Sequence, residues 1–474
     1  MGAEHRLAFH AATGVDDWRM LYCGPIAHFT VDSVHSGVAF AVAVAELDEL
    51  AQHPPLIDVR PSGVTVRLHD DILDFTDDGV ADRARAVSAV AREHGLAPRP
   101  DLTQDVQIAI ATQLPIDEVL PFWRAVLGYV DHVGDDLLDP RGRGPSVWFQ
   151  ELDPEKPLRH AMHLDLAVPR EVAGRRLDAA IAAGGRVASD AAAVRYWTCA
   201  DAAGNKVDLV AWPDLPLPED EALRLGSEGV DAGDLAFGRP APPAHPAGPP
   251  AVVAGHAELE RGEAMFMAFR EASDLVDWPV LFWGPTAWFR TASLASGTAL
   301  AAHLAELGGA DRLHVDLRAD GLAVRLARDV TELVDADLDL ARRISATAHE
   351  FGAESDPTQV QTVQMAIASK PDDDVRPFWR ELFGYAEHGP EDLVDLQARG
   401  MSLWFQELPA EKPLRHAFHI DVSVPRAVGR ARVEAALAAG GRIADSNVPE
   451  WWTLADPAGN KVDIAIWPDR ELAG

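Results

Sequence analysis

At 474 residues the chain is too long for a single hydrophobic core, and with 47% hydrophobic and 25% charged residues it has an ordinary globular composition. A net charge of −33 argues against partners recognised by complementary charge, such as nucleic-acid phosphates or anionic membranes. The N-terminus MGAEHRLAFHAATG has no basic patch followed by an apolar core, and no apolar run reaches spanning length, so a cytoplasmic protein without a signal peptide is expected.

Residues 145–170 (PSVWFQELDPEKPLRHAMHLDLAVPR) recur as residues 401–426 (MSLWFQELPAEKPLRHAFHIDVSVPR), with roughly two-thirds of positions identical. A self-match of this length marks an internal duplication. The first copy runs over about 15–214 and the second over about 276–469. The stretch between them is rich in Pro, Gly, Ala and acids and reads as a linker over 215–258. Cys23 and Cys199 fall opposite Trp283 and Leu454 in the second copy, so neither is expected to be a nucleophile or half of a structural disulfide.

In chain order, copy one opens with VDDWRMLYCGPIAHFTV, then SGVAFAVAVAELDELAQH, whose apolar spacing predicts a helix. The alternating runs LIDVR and VTVRL flank Pro61-Ser62-Gly63 and predict two strands, followed by a helix over 77–93 that stops before Gly95. Next come strand DVQIAIATQ, helix IDEVLPFWRAVLGY stopped by Gly128, and strand SVWFQEL. After a polar loop the chain predicts strand AMHLDLAV, helix RRLDAAIAAGG and a last strand in NKVDLVAW. Copy two repeats this order. Strand–helix–strands, twice per copy, predicts an α+β architecture in which two βαβββ half-units of a copy form one mixed sheet. The predicted domains are 1–98, 99–214, 259–355 and 356–474, with the linker at 215–258.

The later part of each copy resembles a vicinal oxygen chelate domain of the glyoxalase/bleomycin-resistance/extradiol-dioxygenase superfamily. The carrying residues are PFWRAVLGY and PFWRELFGY, HLDLAV and HIDVSV, and the tails YWTCADAAGNKVDL and WWTLADPAGNKVDI. The resemblance implies a sheet-lined cup for a small organic or drug-like molecule, and a pseudo-dimer within one chain or a homodimer. It also implies a divalent metal, Zn²⁺, Ni²⁺ or Fe²⁺, held by side chains of the first and last strands of each half-unit. Carried over, those positions are Gln107, Glu151, His163 and Asp208 in copy one, and Gln364, Glu407, His419 and Asp463 in copy two. Gln150 and Gln406 lie one residue from Glu151 and Glu407, and a slip of one exchanges the two faces. With Glu inward the set resembles glyoxalase I and suits a metal-dependent lyase or isomerase; with Gln inward only one His and one Asp remain as strong ligands, which suits a metal-free binding cup. Trp148, Trp197, Trp404 and Trp452 are the candidate cup walls. His160 and His416, an odd step before the strand histidines, belong to the other face or the loop.

The earlier part of each copy, 1–98 and in degenerate form 259–355, resembles, more distantly, pterin-4a-carbinolamine dehydratase, in copy one through Glu49 to Pro54, Leu56 to Arg60 and Val64 to Leu68. That resemblance implies proton shuttling by His53 with Asp71 or His69. The family's paired histidines are reduced here to Gln52-His53, and Asp311 replaces His53 in copy two.

Overall fold

The computed structural model describes residues 8–68, 79–153, 155, 161–191, 193, 195–211, 256–326, 333–389, 391–398, 400–408, 417–447 and 451–466. The alternating runs of the earlier parts form hairpins, Leu56–Arg60 with Gly63–Arg67 and Leu313–Arg318 with Gly321–Leu326. Helices Val34–Ala45 and Leu294–Ala305 start where Ser33 and Ser293 accept hydrogen bonds from the Ser36 and Ser296 amides, satisfying donors the first turn leaves unpaired. The helices pack on each other and on one face of a ten-stranded sheet.

That sheet contains both copies. Ile57, Asp58 and Val59 pair antiparallel with Leu317, Asp316 and Val315, which joins the two hairpins edge to edge. Equivalent strands meeting this way place Asp58 opposite Asp316 and leave a guanidinium beside each. Arg318 reaches Asp58 at 2.9 Å and Arg60 reaches Asp316 at 2.7 Å, all four side chains nearly buried. Arg143, from the later part of copy one, adds a second contact to Asp316 at 3.1 Å.

Helix His256–Glu271 begins at the end of the stretch assigned to the linker. Met265, Phe266 and Phe269 bury one stripe of it in the core of the ten-stranded sheet. The i, i+3, i+4 signal was present in GEAMFMAFREA, but the Pro- and Gly-rich residues before it masked the start.

The later parts build two eight-stranded sheets, and here the expected pairing within one copy does not hold. Strands Met162–Ala167, Lys206–Val210, Tyr196–Ala200 and Arg186–Ser189 of copy one continue into Thr362–Ser369, Ser402–Glu407, Asp392–Val394 and Ala386–His388 of copy two. The reciprocal sheet joins Phe418–Val424, Lys461–Ile466, Trp451–Ala455 and Arg442–Asn447 to Asp105–Thr112, Ser146–Glu151, Leu137–Leu138 and Val130–Asp131. The half-units of one copy are therefore split between sheets. Each seam is a six-residue antiparallel ladder, His163 opposite Ala366 in one and His419 opposite Ala109 in the other. The duplicated halves carry almost the same edge, so pairing across copies satisfies the same hydrogen bonds as pairing within one.

Helices Ile116–Leu127 and Arg376–Phe383 cover the apolar faces of these sheets. Both end on a glycine in the left-handed region, Gly128 at φ 63° and Gly384 at φ 62°, which any side chain would strain. Burial, with the charge of Asp105 next, holds the Cys23 thiol well above its ordinary range; burial and Asp208 push Cys199 up to about 11. Thiols so placed are poor nucleophiles at neutral pH.

Candidate metal centre in two composite cups

Strand parity decides which side chains share a cup. In the ladder registers, Asp165 stands opposite Gln364 and beside Asp208, while Gln364 pairs with Ser402, Ala366 with Trp404 and Ala368 with Gln406. His163, Asp165, Asp208, Gln364, Trp404 and Gln406 thus face one side of one sheet, although three come from each copy. His419, Asp421, Asp463, Gln107, Trp148 and Gln150 make the corresponding set in the other sheet. Glu151 and Glu407 lie one residue further on, exposed and on the helix-covered side. They point away from either histidine. Gln107 and Glu151 also belong to a different sheet from His163 and Asp208, so the four ligands assigned to one copy are not brought together.

The tail motif that carries the resemblance positions the last strand. Asp201 accepts from the amide of Asn205 at 2.8 Å, from its side chain at 3.0 Å, and from Trp123 Nε1 at 2.9 Å. Asn205 then donates to the Ala111 carbonyl of the other sheet at 3.0 Å. Asp456, Asn460, Trp379 and Ala368 repeat the arrangement. This buried turn sets the register of Lys206–Val210, and hence which face Asp208 presents. Its role is structural.

At the heart of the first cup, His163 Nε2 lies 3.2 Å from Asp165 Oδ1 and 3.6 Å from Asp208 Oδ2. In the second, His419 Nε2 lies 3.3 Å from Asp421 Oδ1 and 3.9 Å from Asp463 Oδ2. Each trio offers ligand atoms within 4.8 Å of one another. Oδ1 of Asp165, Asp208, Asp421 and Asp463 is buried and receives no hydrogen bond. Leaving a buried carboxylate oxygen unpaired costs roughly 1–3 kcal/mol; Oδ1 of Asp165 and Asp421 face only the imidazoles, and Oδ1 of Asp208 and Asp463 have no hydrogen-bond partner among the described residues.

Electrostatics reflect the crowding. Burial disfavours the charged form of His163 and of His419, but the neighbouring carboxylates, Asp165 and Asp421 foremost, outweigh it and hold both imidazoles above their ordinary value. Burial pushes Asp208 up to about 6, with the His163 charge opposing the rise and Asp165 adding to it. Asp463 is raised by burial and then by Asp421. Two carboxylates and one imidazole, with oxygens unpaired, suit a divalent cation bound through oxygen and nitrogen.

The cups differ in their aromatic neighbours. Trp148 Nε1 donates to Asp421 Oδ2 at 2.6 Å and its ring stands edge-on to His419 with centroids 5.6 Å apart. Trp404 turns instead to Glu391 at 3.3 Å, and Gln406 Nε2 approaches His163 Nδ1 at 3.3 Å. Trp197 and Trp452 pair with Leu209 and Ile464 and pack against the apolar core, outside the cup. Tyr196 and Trp451, one residue earlier, share the parity of the aspartates and line the cup. Asp165 and Asp421 were likewise missed from sequence; the H-x-D spacing of two on a strand is the signal that places them beside the histidine.

Of the dehydratase positions, His53 is exposed and its ring has no hydrogen-bond partner among the described residues. Asp71 and His69 lie outside the described residues, as do His160 and His416. Among the described residues no helix is long and apolar enough to cross a membrane.

Residues 107–210 and 364–465 each match the glyoxalase-like domain family. No curated protein matches the chain. Among solved structures the chain is similar to a glyoxalase I variant from Zea mays, at 8% identity over 77% of this chain and 94% of that one. The TM-score is 0.30.

Proposed function

We propose that the two glyoxalase-like domains form two divalent-metal cups that bind a small, oxygen-bearing organic molecule and act on it as a lyase or isomerase. The two matches suggest the vicinal oxygen chelate superfamily, and the observation that carries the metal reading is local. In both cups a histidine and two aspartates converge, and each aspartate keeps a buried oxygen without a hydrogen bond. His163, Asp165 and Asp208 would hold one ion, and His419, Asp421 and Asp463 the other. A bound ion would supply Lewis acidity toward a carbonyl or enolate oxygen.

The residues around the trio have separate duties. Gln406 stands 3.3 Å from Nδ1 of His163; with its amide turned so that Oε1 accepts the Nδ1–H, it would leave Nε2 free for an ion beside the carboxylates. Trp404, Tyr196 and Ala366 give the first cup an apolar wall against which a ligand's carbon frame excludes water. At the second cup Trp148 takes Oδ2 of Asp421, which leaves Oδ1, the oxygen facing His419, for an ion. Dehydratase chemistry at His53 is not part of the proposal.

Metal analysis after reconstitution and desalting tests the reading. Two ions per chain are expected with Zn²⁺ or Mn²⁺, one after His163→Ala, and none after His163→Ala with His419→Ala. Unchanged metal content in the double variant, or no retained metal in the wild type, would overturn it.

A further inference from the structure

The duplication supplies an internal comparison at a second location, where the hairpins of the ten-stranded sheet meet the first residues of strands Thr362–Ser369 and Ser402–Glu407. In copy one, Arg67 is buried there close to Asp105, whose Oδ2 accepts the Cys23 amide at 2.7 Å. Copy two aligns Arg325 with Arg67, Thr362 with Asp105 and Trp283 with Cys23. The guanidinium is kept. The carboxylate is gone.

What remains in copy two is a small open cleft of about 60 Å³. Arg60, Arg143, Arg318 and Arg325 line it, against only Asp58 and Asp316. Three of the four arginines are committed to those two acids. Among the described residues Arg325 hydrogen-bonds only His314 Nδ1, at 3.0 Å. Burial, then Arg60 and Arg325, press His314 well below its ordinary value, so it is a neutral acceptor and cannot balance the charge. Burial and the Arg60 charge bring Arg325 down to about 10, whereas Arg67, equally buried but beside Asp105, is raised. In a chain of net charge −33, a cluster of four guanidiniums, Arg60 and Arg318 buried and Arg143 and Arg325 half-buried, is against the overall balance. Trp283, where copy one has the small Cys23, adds an apolar wall, its Nε1 donating to Ser402 Oγ at 2.8 Å.

We propose that this cleft binds a small organic carboxylate, which takes beside Arg325 the place that Asp105 occupies beside Arg67. A guanidinium pairs a carboxylate through two parallel hydrogen bonds, and the adjacent indole suits a carbon frame attached to it. The site is independent of the metal ions, so it is tested on the full chain in excess chelator.

Titration with 4-fluorobenzoate followed by ¹⁹F NMR is the measurement. One saturable site per chain is expected, weakened about tenfold or more in Thr362→Asp, which installs the missing carboxylate. That variant recreates a pair copy one already folds with, so loss of binding is not loss of fold. Arg325→Gln should weaken binding to a similar degree. Equal affinity in the wild type and Thr362→Asp, no saturable binding, or binding of inorganic phosphate but not of fluorobenzoate would overturn the proposal.

Discussion

Asp316→Asn should lower the stability of the protein by about 3–5 kcal/mol, because it strips a buried anion from several cations at once. Arg60 and Arg143 both contact Asp316, and Arg318 and Arg325 act on it from further away. Burial alone would raise the Asp316 pKa, but these four charges hold it far below the ordinary carboxylate range. With asparagine in its place, Arg60 and Arg143 lose their contacting carboxylate in a low-dielectric seam, and Arg60 keeps only the more distant Asp58 and Asp395. Asp320→Asn is the control. Its ion pair with Arg141 spans 2.6 Å, but Asp320 is about half exposed. Solvent screens such a pair, and a change within about 1 kcal/mol is expected. The pH dependence has a definite sign. A depressed folded pKa contributes stability above the unfolded value near 4 and loses it only as pH falls through the folded value. The gap between wild type and Asp316→Asn in denaturant midpoints should therefore be flat from pH 5 to 8 and close only in strong acid. A gap that closes near neutrality would contradict this account.

The second large effect concerns the covalent link between copies. Introducing a protease site after residue 230 and cutting there should leave the two fragments associated through gel filtration at micromolar concentration. All three sheets cross between copies, through Ile57–Val59 with Val315–Leu317 and through the two six-residue ladders of the cups. Separation would open all three seams, exposing central strands and the apolar faces they support. Either fragment made alone is expected to self-associate or precipitate, since its half-units lack their partner strands. Two stable monomeric fragments would show that each copy closes its own sheet.

How far the sequence reached depends on which property is local. Helices such as Ile116–Leu127 and strands such as Met162–Ala167 follow from apolar period and from Gly128 or the half-unit pattern, and they fall where expected. The α+β character was legible for the same reason, and the two glyoxalase-like domains through their resemblance in PFWRAVLGY, HLDLAV and YWTCADAAGNKVDL and the copy-two counterparts. Partner choice is not local. Copies with nearly identical edges present the same alternation whether His163 sits opposite Ala366 of copy two or Ala109 of copy one, so the exchange left no mark on the pattern. Side-chain facing was half legible. His163 and Asp208 share a face, but the Gln/Glu choice turned on one residue of register, which the ladder from Gln364–Ser402 to Ala368–Gln406 resolves for glutamine. The same one-residue parity separates Tyr196 from Trp197. Asp165 was within reach and overlooked, two positions after a histidine on a strand.

The exchange of half-units and the metal site meet in one residue, Gln406, which belongs to copy two yet touches His163 of copy one. In a His419→Ala background only the His163 cup can hold an ion, and its Co²⁺ absorption spectrum reports that cup alone. Gln406→Leu is expected to shift this spectrum and weaken Co²⁺ binding about 10- to 100-fold, as loss of a ligand's supporting hydrogen bond does. Gln150→Leu, in the same copy as His163 but in the other sheet, should leave both unchanged. A spectrum that responds to Gln150→Leu and ignores Gln406→Leu would contradict the composite cups.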